Sequence, residues 1–104
     1  MDINGKKINF VISKKSNAKK FEHALKEMEK REASIRNNEH PELSDLLDEV
    51  LDMFKQFFIE ATGVDVVGDC DDATEAKEMY EEFLGAVKKQ SNAFTRPFRL
   101  DRIK

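Results

Sequence analysis

Apolar positions are spaced in two different ways along this chain. Near the start, Ile8, Phe10 and Ile12 alternate with Lys7, Asn9 and Val11, the period of a half-buried strand. Asn4-Gly5 just upstream is the strongest short hairpin signal, so residues 1–12 are expected to fold as a strand unit with Met1–Ile3 as a short partner. A lone hairpin is marginal in water and must pack on something else. After a polar break at 13–17, with Ser16 as the expected N-cap, the period changes to three and four.

Three helices follow from that change, near 17–37, 42–61 and 73–91. The first carries a narrow stripe, Phe21, Ala24, Leu25, Met28 and Ile35, and its back half from Glu29 to Arg36 is nearly all polar. That half is expected to project from the core or to take a partner. The second begins after Pro41 and places Leu43, Leu47, Val50, Phe54, Phe57 and Phe58 on a broad arc that ends at Gly63, a natural C-cap. This arc is wider than one thin helix covers, which predicts a surplus apolar surface. The third opens on Asp72 and Glu75, capping-box spacing, and buries Ala76, Met79, Tyr80, Phe83, Leu84 and Val87. The expectation is a mainly α, three-helix domain over 1–92, with a short N-terminal β-hairpin or strand and a basic tail over 93–104.

Charge adds an asymmetry that the modest net charge of −3 conceals. Residues 1–38 carry ten basic and five acidic side chains, residues 39–87 two and fifteen, and residues 88–104 six and one. A face this acidic repels phosphate, which argues against general nucleic-acid binding. The blocks read either as solvated helix faces or as basic ends of one copy meeting the acidic middle of another, and on the second reading a homo-oligomer is expected. No apolar run approaches the ~20 residues of a membrane span. One cysteine, Cys70, excludes an internal disulfide and fits a reducing cytoplasm.

Candidate chemistry is thin. Asp65, Asp69, Asp71 and Asp72 offer oxygens, but counting from Asp69 puts Ala73 at position 5, Thr74 at 6 and Tyr80 at 12, which is not a calcium loop. His23, His40 and Cys70 are scattered, the four glycines form no phosphate-binding loop, and Glu81-Glu82 is ordinary helix surface. No catalytic residue, cofactor, metal site or small-molecule substrate is expected. Aromatics are the exception, with eight Phe and one Tyr in a chain that is 38% charged. Phe54, Phe57 and Phe58 on the second helix, and Phe94 and Phe98 with Arg96, Arg99 and Arg102 in the tail, are the candidate surface for a client or a second copy, with core packing as the other reading of the aromatics and Phe57 and Phe58 open to either.

Several strings together resemble a known group. They are the Asn4-Gly5 strand unit, AKKFEHAL over Ala18–Leu25, Phe57-Phe58 ahead of Gly63, an acidic loop with Gly68, Phe83-Leu84-x-x-Val87-x-x-Gln90, and a basic end with Arg102. The chain resembles the short tail assembly chaperones of long-tailed bacteriophages and Gram-positive prophages. It departs from them at Ala61-Thr62-Gly63, where a further Phe-Gly unit is usual, and at Arg96-Pro97-Phe98-Arg99, which replaces a Tyr-x-Pro-Asn-Arg-like ending. The resemblance implies a non-enzymatic assembly factor that coats the tape measure protein, helps recruit tail tube subunits in the host cytoplasm, and is absent from the mature virion. The other expectation, from the acidic stretch Glu60–Glu82, is a small phage protein that inhibits a host nucleic-acid-binding protein.

Overall fold

A computed structural model describes residues 1–95. Its elements are β1 (Asp2–Ile3), β2 (Lys6–Lys7), α1 (Lys15–Asn37), α2 (Leu43–Thr62) and α3 (Ala73–Thr95), so the fold is mainly α with a two-strand antiparallel hairpin. Asn4 at φ 54° and Gly5 at φ 71° form the two left-handed positions of the turn, as an Asn-Gly pair favours. They fix the register Asp2 opposite Lys7 and Ile3 opposite Lys6.

The ladder is shorter than the alternation predicts. Ile8 still exchanges two backbone bonds with Met1, at 2.8 and 3.0 Å, but residues 9–11 belong to no strand and Ile12 enters a turn, although Ile8 and Phe10 are buried and Asn9 and Val11 exposed as the alternation predicts. Instead the Gln90 side chain of α3 donates from Nε2 to the Phe10 carbonyl at 3.0 Å and accepts from the Ile12 N–H at 2.9 Å. One amide thus makes the two bonds that a residue of a neighbouring strand would make, which satisfies the backbone without a sheet.

α1 also starts earlier than expected. Its N-cap position is Lys14, with no side-chain cap, so Ser16 lies inside the first turn. Asn17 donates to the Val11 carbonyl at 3.0 Å and holds the entry of the helix instead. Gly63 caps α2 at φ 77°, where a left-handed residue is needed. Asp72 Oδ1 accepts from the N–H groups of Thr74 and Glu75 at 2.8 and 3.3 Å and so opens α3. That helix continues through Thr95, beyond the fade expected at Ser91-Asn92 and across the residue-93 boundary.

α1 and α2 are antiparallel neighbours, tied along their length by Phe21 on Phe57, by Arg31 to Asp52 at 2.8 Å and by His40 to Glu49 at 3.0 Å. The polar back half of α1 therefore does have a partner, and it is α2 of the same chain. α3 lies over the other end of this pair. Tyr80 packs on Phe54 and Phe57, Phe83 packs on Phe10, Phe21, Phe57 and Phe58, and Gln90 reaches the extended segment ahead of α1. Hence α3 runs toward the end where α1 begins, and the α1–α2 corner lies at the opposite end.

Candidate functional site

The candidate client-binding phenylalanines mostly do not face solvent. Phe57 and Phe58 are buried at 1% and 0% exposure, and Phe54 is buried beside Tyr80. Of the two readings open for the helix-two aromatics, core and docking surface, these three residues are core, and the surplus arc does not run the length of α2. Phe10, Phe21 and Phe83 converge on them from an extended segment and two other helices, with ring centroids 5.3–6.3 Å apart and steep interplanar angles. Edge-to-face stacking of this kind adds ~0.5–1.5 kcal/mol per pair beyond area burial. Phe94 is exposed, while Phe98, Arg96, Arg99 and Arg102 lie outside the described residues.

Two openings remain on the α1–α2 pair. The first is a cleft of about 170 Å³ between the helices. Ala24, Met28, Met53 and Phe57 form its floor, and Glu27, Arg31, Gln56 and Glu60 form its rim. Arg31 is held against Asp52, and Glu27 lies 3.5 Å from Lys30. The mouth is therefore mixed in charge, with Glu60 on the α2 wall and the ion-paired Glu27 and Arg31 on the α1 wall, above an apolar base that holds two methionines.

The second opening is at the corner, where the α2 stripe outlasts its cover. Aromatic contacts from α3 begin at Phe54. Seven and eleven residues earlier on the same face, Leu47 and Leu43 are 38% and 70% exposed. Leu46, Val50 and Leu51 beside them are only half-buried. Among the described residues Glu42, Asp45 and Asp48 make no ion pair, although Asp45 Oδ2 accepts from the Glu42 N–H at 3.2 Å. Glu29 and Glu32 of α1 face the α3 side of this region. With burial acting first, their charges push the Tyr80 phenol above its ordinary value.

His40 is a contact that sequence reasoning assigned no role. Its Nε2 is 2.8 Å from the Ile35 carbonyl and its Nδ1 3.0 Å from Glu49, so one ring joins the last turn of α1 to α2. Position before Pro41 signals a turn, and nothing in the local pattern signals these distant acceptors. His23, by contrast, is the exposed helix residue its spacing predicts.

The acidic loop is structural in geometry. Asp65 Oδ1 accepts from the Gly68 N–H at 2.9 Å, its other oxygen lies 3.3 Å from Lys55 Nζ, and its carbonyl accepts from Lys6 Nζ at 2.7 Å. The Gly68 N–H most of all, then Lys55, hold this carboxyl below the ordinary aspartate value against an opposing effect of burial. Asp72 is occupied as a cap, and Cys70 donates weakly toward the Asp72 carbonyl and Glu75. Among the described residues no group of three or more His, Cys, Asp or Glu side chains is placed to hold a metal ion, and no helix is long and apolar enough to cross a membrane.

No family model, curated protein or solved structure matches the chain. The candidate sites therefore stand on their own geometry: a cleft with an apolar base and a rim of mixed charge, and an exposed leucine pair with acidic edges.

Proposed function

We propose that this chain is a tail assembly chaperone of a long-tailed bacteriophage or prophage, which coats the tape measure protein as a homo-oligomer and helps recruit tail tube subunits. It acts without catalysis, in the host cytoplasm, and leaves before the virion is complete. The observation that carries the reading is the α1–α2 cleft, with Met28 and Met53 on its floor and Glu27 and Glu60 on its walls. A long helical client presents repeated apolar side chains, and a groove between two helices receives such anchors. Methionine adapts to side chains of different shape, which suits a coat that must accept many segments of one client. The resemblance in the Asn4-Gly5 unit, the Phe57-Phe58 pair and the Gln90 string supports the same role.

Gln56 sits exposed at the cleft mouth, so Gln56→Trp fills the opening without touching the buried core. Coexpressed with its tape measure protein, the wild-type chain is expected to keep the client soluble. The variant is expected to melt within a few degrees of wild type and to leave the client in the pellet. Equal client solubility with both chains, or none with either, defeats this reading. The acidic corner also fits an inhibitor that covers a basic nucleic-acid-binding surface. That reading requires a discrete complex with such a host protein and no effect on the tape measure protein.

A further inference from the structure

We propose that the exposed end of α2 around Leu43 and Leu47 receives residues 96–104 of a second copy, so that copies join head to tail. This deepens the coat reading and rests on it only for the premise that copies meet. The receptor has an apolar floor, Leu43 and Leu47, with Leu46 and Val50 half-buried beside them. Its edges are negative. Glu42, Asp45 and Asp48 form no ion pair among the described residues, and α2 has no basic residue before Lys55. The basic side chains in the second half of α1 are already engaged, Lys30 by Glu27 at 3.5 Å, Arg31 by Asp52 at 2.8 Å and Arg36 by Glu32 at 2.7 Å.

The segment RPFRLDRIK is the chemical complement. Phe98, Leu100 and Ile103 are interleaved with Arg96, Arg99, Arg102 and Lys104, against the single acid Asp101. Apolar anchors inside a ring of opposed charge fix both the register and the partner.

Reach decides between the same copy and a second one. Gln90 is bonded to Phe10 and Ile12, just ahead of the start of α1, and Thr95 lies beyond it in the direction away from Tyr80. The 23 residues of α1 then separate that end from the corner, about 34 Å at 1.5 Å per residue. Nine residues span at most ~30 Å fully extended, and binding along the receptor shortens that reach. The segment of the same copy therefore falls short, and a neighbour must supply it. Donor and receptor are different patches, so the contact is heterologous and leaves one free end of each kind on every assembly that does not close.

Two full-length variants test this without any client. Leu47→Asp spoils the receptor and keeps the donor; the Arg96→Glu, Arg99→Glu, Arg102→Glu chain keeps the receptor and reverses the donor. Sedimentation velocity at 0.1 M salt is expected to show wild type forming concentration-dependent species larger than a dimer. Each variant alone should associate at least tenfold more weakly, with an unchanged melting temperature. Mixed in equal amounts, the two should give a one-to-one heterodimer and nothing larger, because only one intact donor–receptor pair exists. A monomeric wild type overturns the proposal, as does association of either variant at wild-type strength, or a mixture that stays monomeric. Wild type that assembles head to tail yet leaves a coexpressed tape measure protein insoluble supports this contact and counts against the chaperone reading alone.

Discussion

α2 is one helix with two halves that meet different fates. From Met53 to Ala61 every apolar side chain of its inner face is buried, and the Phe57 and Phe58 rings are sealed by Phe21 and Phe83. From Leu43 to Leu51 the same face continues, yet Leu43 and Leu47 stand in water. The residues differ little in hydrophobicity. What differs is how many elements arrive: α1, α3 and the extended segment at Phe10 converge on the first half, and α1 principally covers the second. A helix whose stripe is longer than its cover exposes the remainder, which makes length of cover the quantity that separates core from docking surface.

The sharpest way to break that comparison is to truncate one residue on each side of it. Phe58→Ala removes a fully buried ring and is expected to cost ~3–5 kcal/mol, enough to unfold much of a marginal domain. Leu43→Ser, on the same helix and 70% exposed, should stay within about 0.5 kcal/mol in the monomer. Urea denaturation of both variants measures the contrast, and similar losses would mean that the corner is covered after all.

A smaller effect is expected at the joint between α3 and the extended segment. Gln90→Ala leaves the Phe10 carbonyl and the Ile12 N–H without the bonds that the amide supplied, at ~1–3 kcal/mol for partly buried backbone groups. Gln90→Glu retains only the acceptor half, for Ile12. Amide exchange at Ile12 should accelerate in the Ala variant and much less in the Glu variant.

The smallest effect is electrostatic and confined to the loop. The Asp65 carboxyl is held below its ordinary value, so its stabilising contribution is complete above the usual aspartate range. That contribution is lost as pH falls through the lowered value. Melting temperature measured from about pH 6 down to pH 2 should therefore drop less steeply for Asp65→Asn than for wild type. Parallel curves would show that the Gly68 N–H and Lys55 contacts add nothing to folding.

Much of the fold is written locally. The Asn4-Gly5 turn, the three helical stripes, the Gly63 stop and the Asp72 start each depend on residues within one or two turns, and they are formed where the pattern places them. Steric limits on φ, helical period and the need to satisfy terminal N–H groups act over short sequence distance, so a sequence determines them by itself. Tertiary structure decided the rest. Whether Phe57 and Phe58 face a client or a core depends on where Phe21 and Phe83 arrive, and no period within α2 records that. Gln90 replaces a strand only because α3 passes the extended segment 80 residues away, and His40 finds the Ile35 carbonyl and Glu49 only once the corner has closed. Burial and long-range hydrogen bonds are properties of pairs of elements, and the chain fixes them only by folding.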